Sequence, residues 1–283
     1  MHPVLLKLGS LEIRYYGLMY AIAFFVGVYL GKKEGKKRGL DEKLVEDFAF
    51  FAMVFGLLGG RAYYVLLQHE FYFSHPSEII AVWHGGMAIH GGILGAILGA
   101  MIFAKIKKVK LGDLADIGAA PFILGQAIGR IGNLMNGDAH GVPTFTPLKV
   151  MLNNNFNKWW GEYLNGAYEG LKELVPWGIV FPSGTPAGNE FPNMATHPVM
   201  VYEMILNFIA FLSIWFIFRK KDLPKGSLFL IYLIEYSCIR SIVTIFRADD
   251  LMIYGMRAPH LISVVLIVVA IIIFRINIIK EKQ

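Results

Sequence analysis

One arginine, two asparagines and an aspartate crowd into a single stretch, Gly129-Arg130-Ile131-Gly132-Asn133-Leu134-Met135-Asn136-Gly137-Asp138-Ala139-His140-Gly141. Amide side chains both donate and accept hydrogen bonds. A guanidinium presents a planar fork that matches phosphate oxygens, and glycines permit close approach and unusual backbone angles. The stretch ends an apolar run and lacks a strand-turn-helix context, so it is not a nucleotide-binding glycine loop. Arg61 and Arg240 interrupt apolar runs in the same way, and His90 sits in Gly85-Gly86-Met87-Ala88-Ile89-His90-Gly91-Gly92. Gathered arginines suit an anion, and an imidazole, which titrates nearest neutral pH, suits proton transfer. The plainer alternatives are an arginine neutralised by an acid or capped by helix carbonyls, and a histidine making one interhelical hydrogen bond. These residues by themselves leave both pairs of readings open.

The elements that must carry these groups are membrane spans. Of 283 residues 55% are hydrophobic and only 17% charged, against about 25% charged in soluble domains, and mean hydropathy is +0.52. That surplus excludes a soluble enzyme and a disordered chain. Windows of about 20 apolar residues fall at 15–31, 48–67, 86–104, 114–135, 198–218, 226–246 and 259–276. The expected fold is therefore all-α and integral to the membrane, one polytopic domain over 1–283 with about seven helices. A small head at 137–197 lies between spans four and five. The first run lacks a basic leader and a small-residue cleavage site, so it is read as a retained helix.

Charge orients the spans. Seventeen of the 27 basic residues, among them Lys32, Lys36, Arg38, Lys105, Lys110, Arg219, Lys225 and Lys282, flank one side. Seven, including Lys7, Arg14, Lys149, Arg247 and Arg257, flank the other. The rule that cytoplasmic loops are basic puts the N-terminus outside and the C-terminus inside. It also accounts for the net charge of +6 without a nucleic-acid partner. In this orientation Arg61, Arg130 and Arg240 lie late in outward-running helices, His90 early in an inward-running one, and Tyr16 at the outer start of the first. Five polar side chains are thus expected at one depth, in the outer half of the bilayer. A phospholipid head group lies near that depth and could enter sideways. The lone cysteine, Cys238, rules out an internal disulfide and a Cys-based zinc site, and no metal or cofactor is expected.

Gly129, Arg130, Gly132, Asn133, Asn136 and Gly141 fill a known signature, Gly-Arg-x-Gly-Asn-x-x-Asn-x-Glu-x-x-Gly, with Asp138 at the acidic position. The chain here resembles the prolipoprotein diacylglyceryl transferases, integral membrane enzymes of bacterial lipoprotein maturation. Tyr15-Tyr16-Gly17-Leu18-Met19-Tyr20, Gly59-Gly60-Arg61, Gly86 to Gly92, and His197-Pro198 with Tyr202-Glu203 resemble further family motifs in order. So do Tyr236, Arg240, Phe246-Arg247 and Asp250. The resemblance implies transfer of diacylglyceryl from phosphatidylglycerol to the lipobox cysteine of a preprolipoprotein in the bacterial inner membrane, releasing glycerol 1-phosphate. It implies Arg130 and Arg240 on the phosphate and His90 as the base, with thiolate attack stabilised by arginine as the alternative. Tyr16, Asn133 and Asn136 would orient head group or peptide, with Asp138, Gly141, Arg61, Tyr236 and Arg247 completing the substrate site. The chain departs from the family at Asp138 (usually Glu), at Thr244 (usually Glu) and at Pro259-His260, which replaces a Gln-containing approach to the last helix. A relative that binds or transports an anionic phospholipid without turnover is the alternative those departures raise. A transporter of broken helices in paired halves and a retinal receptor find no support, the last span carrying no lysine.

Overall fold

The computed structural model describes residues 3–9, 11–168, 170–248, 252–253 and 255–281; Asp250 and Lys282, named above, lie outside the described residues. Strands β1 (Val4–Leu8) and β2 (Leu11–Arg14) form an antiparallel hairpin leading into α1 (Tyr15–Lys37). Helices α2 (Glu42–Leu67) and α3 (His69–Ser74) follow, with 3-10 turns at Pro76–Ile79 and Val82–His84, then α4 (Ile89–Lys107) and α5 (Leu111–Asn136). Short elements come next: α6 (Leu148–Leu152), α7 (Phe156–Leu164), β3 (Ile179–Val180), α8 (Pro186–Glu190) and β4 (Ala195–Thr196). The chain continues through α9 (Val199–Phe216), α10 (Ser227–Thr244), the paired β5 (Met252–Ile253) and β6 (Met256–Arg257), and α11 (Ala258–Glu281).

The protein is an all-α integral membrane protein. Among the described residues, six helices are long and apolar enough to cross a bilayer: α2, α4, α5, α9 with its extension to Lys220, α10 and α11. The first expected run forms α1, 23 residues long but less apolar than those six, because it carries four tyrosines and a lysine-rich end. Several helices outrun their apolar windows. The intrahelical hydrogen bonds continue past the apolar runs, so α2 begins at Glu42 and α11 reaches Glu281. Large apolar side chains such as Ile262, Val265, Val268 and Ile272 on α11 face outward, which is stable where the solvent is lipid.

The residues group into two compact units, Val28–Gly118 and Met1–Gly27 with Ala119–Gln283. In the first, Val45, Phe48, Phe103, Ala104, Leu114 and Ile117 form the core. A buried ion cluster sits beside that core, where Arg38 pairs with Glu34 and Asp116 at 2.8 Å each. Helices α2 and α4 meet on glycine. A Cβ at Gly59 would stand 2.4 Å from the Gly91 carbonyl oxygen, and one at Gly95 would stand 2.2 Å from that of Phe55. The two main chains therefore touch, a packing that small residues alone allow.

In the second unit Val142, Met151, Phe156, Trp159 and Phe191 are buried together. Trp160 and His140 pack edge-on against the Phe191 ring at 5.2 and 5.6 Å. The segment 140–142 is threaded by main-chain bonds between its neighbours. His197 N donates to Val142 O and Val142 N to Phe246 O, each at 3.0 Å, while Gly141 N donates to His197 O at 3.1 Å.

Gly95→Leu is expected to force α2 and α4 apart and lower the thermal unfolding midpoint in detergent, an overpacking cost of about 1–3 kcal/mol. Gly161→Ala on α7, where a Cβ meets nothing within 4 Å, is expected to leave that midpoint unchanged or raise it. Equal midpoints for wild type and Gly95→Leu would show that the crossing does not limit stability.

Candidate functional site

Helix α5 ends in a left-handed turn. Gly137 has φ +71° and its N–H returns to Asn133 O at 2.8 Å, the glycine C-cap arrangement. Ala139 also has positive φ, +53°. The turn swings Asp138 back over the helix end, where its carboxylate meets three donors. Asn136 Nδ2 donates to Oδ2 at 2.9 Å, Asn133 Nδ2 to Oδ1 at 2.7 Å, and the Tyr16 hydroxyl reaches both oxygens at 2.6 and 2.7 Å. Asn133 Nδ2 also donates to the Tyr16 oxygen at 2.6 Å. Tyr16 comes from the first turn of α1, and its ring lies flat on α5 because residue 132 is glycine. A Cβ there would stand 2.7 Å from the ring.

One turn earlier on α5, Arg130 uses both arms. Its Nη1 donates to Asn133 Oδ1 at 2.9 Å, and its Nη2 donates to Glu203 Oε1 on α9. The second oxygen of Glu203 stands 3.7 Å from Arg240 Nη1 on α10. Glu203 is 1% exposed, while the two arginine side chains are half-buried at 20% and 18%. Two guanidiniums converge on one carboxylate and both stay partly exposed, an arrangement that suits an anion.

Three of the five residues expected at one depth, Tyr16, Arg130 and Arg240, thus meet in this unit, together with Asn133, Asn136 and Asp138. Gly141 pairs with Arg247 through an antiparallel bridge. Gly141 must be small there, since a Cβ would stand 2.6 Å from Val199 and 2.7 Å from His197. The Arg247 side chain is buried. Tyr236, four residues before Arg240, is stacked with Tyr232 at 6.1 Å, and the Tyr232 hydroxyl accepts from Gln126 Nε2 at 3.0 Å.

Arg61 and His90 belong to the other unit. The Arg61 guanidinium is capped by carbonyls. Its Nε donates to Ile79 O at 2.9 Å, and its Nη1 donates to Gly85 O and Gly86 O at 2.5 and 2.8 Å. Its Nη2 reaches Ala81 O at 3.4 Å and Glu78 O. Five N–H groups meet five carbonyls, and the guanidinium also lies over the Tyr72 ring. Its structural work is to fasten the 78–86 segment. His90, second residue of α4, is exposed and tilted against the Tyr63 ring at 6.4 Å.

Sequence reasoning did not assign Glu203 a place beside the arginines. Glu235, five residues before Arg240 on α10, accepts from Ser213 Oγ through Oε1 at 2.7 Å. The usable signal was the cost of an intramembrane arginine, which demands an acid on a different helix. At the substituted position, Thr244 is fully buried and its carbonyl accepts from Arg257 Nη1, a bond that closes the end of α10. Among the described residues, no group of three His, Cys, Asp or Glu is placed to hold a metal.

A family model described as prolipoprotein diacylglyceryl transferase matches residues 3–276. A protein of Fusobacterium nucleatum named phosphatidylglycerol–prolipoprotein diacylglyceryl transferase is 56% identical over 277 residues, covering 96% of each chain. Proteins of the same name from Trichormus variabilis and Listeria monocytogenes are 35% and 33% identical. They cover 92% and 96% of this chain and 84% and 89% of their own.

His197, just ahead of α9, gives this region a pH dependence. Burial pushes its imidazole down to about 4, below its ordinary value near 6.5. Between those values the unfolded chain holds a proton that the folded chain does not. The stabilising contribution of neutral His197 is therefore complete above about pH 6.5 and declines as pH falls toward about 4. Thermal midpoints in detergent are expected to drop over that range, and His197→Gln to flatten the drop. An equally steep drop in the variant would assign it to other groups.

Proposed function

The chain belongs to the prolipoprotein diacylglyceryl transferase family, and from that membership we propose that it transfers the diacylglyceryl group of phosphatidylglycerol to the lipobox cysteine of preprolipoproteins. A thioether forms and glycerol 1-phosphate leaves. The observation that carries the reading is the pair of guanidiniums, Arg130 and Arg240, on the single buried carboxylate of Glu203. A thiolate that displaces a phosphate ester at carbon leaves charge on the departing phosphate, and pre-positioned cations stabilise it without reorganising. Glu203 sets their spacing. Asn133, Asn136, Asp138 and Gly141 stand beside them to orient head group and peptide, and Tyr236 and Arg247 flank Arg240 along the chain. His90 is the base that the family resemblance implies.

Six apolar helices and bacterial relatives fit a multi-pass bacterial membrane protein. We place it in the cytoplasmic membrane, with α1 as a seventh span, the N-terminus outside, the 137–197 segment as an extracytoplasmic head and the C-terminus in the cytoplasm. Membrane lipid and a lipobox signal peptide are its partners, nucleic acid is not, and the reaction needs no cofactor.

Purified protein, phosphatidylglycerol and a lipobox peptide are expected to give a peptide heavier by one diacylglyceryl group in mass spectrometry, and no gain when the peptide cysteine is serine. Absence of any gain would leave a lipid-binding relative without turnover. Arg130→Ala and Arg240→Ala are each expected to cut transfer by at least about 100-fold while inserting normally, and near-wild-type turnover in either would remove the phosphate clamp.

A further inference from the structure

The cysteine thiol must lose its proton before or during attack, since the thiolate is the nucleophile. Resting on the transferase reading above, we infer that Asp138, acting through the Tyr16 hydroxyl, is the acceptor of that proton.

The hydrogen-bond directions fix where each proton points. Arg130 Nη1 can only donate, so the Asn133 atom that it meets at 2.9 Å is the carbonyl oxygen. The amide nitrogen must then face the other way, and both of its hydrogens are used, one on the Tyr16 oxygen and one on Asp138 Oδ1. Because the Tyr16 oxygen already accepts from Asn133, its own proton points to Asp138, 2.6 Å away. Asn136 supplies a third donor. Three donors on its two oxygens match the acceptor-only capacity of a carboxylate, the form in which Asp138 can take up a proton. The phenol oxygen keeps one lone pair unused. Tyr16, Asn133 and Asp138 are all half-buried and not sealed, as a site that receives a thiol must be.

The step balances. The S–H bond breaks as an O–H bond forms on Tyr16, and the Tyr16 proton passes to Asp138. The sulfur electrons form the S–C bond to the diacylglyceryl carbon, and the C–O electron pair leaves with the phosphate between Arg130 and Arg240. The proton on Asp138 returns through Tyr16 to the phosphate monoester, which restores the carboxylate. Arg130 thus serves both halves of the reaction: the arm on Glu203 holds its guanidinium near Arg240 for the phosphate, and the other orients the amide that aims the phenol. His90 is the rival acceptor, and the two assignments give different results.

The test compares two lipobox peptides, one with cysteine and one with selenocysteine, whose selenol is already ionised at neutral pH and needs no base. On the cysteine peptide, Asp138→Asn and Tyr16→Phe are expected to lose about 100-fold or more in kcat/KM, and Asp138→Glu, which keeps the carboxylate, to retain most of it. On the selenocysteine peptide both impaired variants are expected to recover to within tenfold of wild type. The Asp138→Asn rate on cysteine is also expected to climb with pH toward the thiol's own ionisation near about 8.5, where wild type stays level. Equal losses on both peptides would make Asp138 and Tyr16 positioning groups and overturn the inference, as would selenium rescue of His90→Gln in their place. If Asp138→Asn does not fold, Tyr16→Phe decides by the same comparison. No transfer by the wild-type protein would remove the transferase reading and this inference with it, whereas wild-type transfer without selenium rescue removes this inference alone.

Discussion

Glu203 is 1% exposed among apolar helices, where an ionised carboxylate costs several kcal/mol unless it is countercharged and hydrogen-bonded. The arginines face the converse problem, since each is expensive inside a bilayer when alone. One carboxylate between two guanidiniums relieves both costs, and it does so only if α5, α9 and α10 bring Arg130, Glu203 and Arg240 to one point. Replacing the acid would remove the one carboxylate that both guanidiniums share. Replacing either arginine would still leave the acid one partner. The arrangement is therefore most sensitive at its centre, and the centre is a residue with no chemical step of its own.

From that centre, order spreads through atoms that have little freedom. Arg130 holds Glu203 with one arm and Asn133 with the other, so the amide cannot flip without giving up a charged donor. The amide orders Tyr16 and Asp138, and the left-handed turn at Gly137 keeps Asp138 within their reach. Gly132 and Gly141 act by size: one lets an aromatic ring lie on a helix, the other lets two main chains and a histidine pass. The cluster from Gly129 to Gly141 is the end of a helix together with the turn that folds it back on itself.

The spans were legible because hydrocarbon demands long apolar runs, and each expected run became a helix. Their ends were less legible, since polar residues such as Glu42 and Glu281 continue the helix beyond the apolar window. The Gly129–Gly141 cluster announced itself by composition, because amides and charges are costly where they stand. What it would bind to inside the protein was not legible. Glu203 lies 73 residues from Arg130 in the chain, and Tyr16 lies 122 from Asp138; spacing along a sequence carries no information about such pairs. Arg61 shows the limit from the other side. Its type and setting are those of an anion ligand, yet the carbonyls that satisfy it belong to an irregular segment whose path no periodicity describes.

The contact between α2 and α4 has a consequence for how this part of the chain can vary. Most helix pairs meet through side chains, and a larger residue on one helix can be matched by a smaller one on the other. Where Gly59 and Gly95 put peptide groups against peptide groups, no smaller partner exists to compensate. Sequence drift at these positions is blocked in one direction, whatever happens on the lipid-facing sides of the same helices. The spacing of the pair is set by the polypeptide main chain itself and not by the size of any side chain.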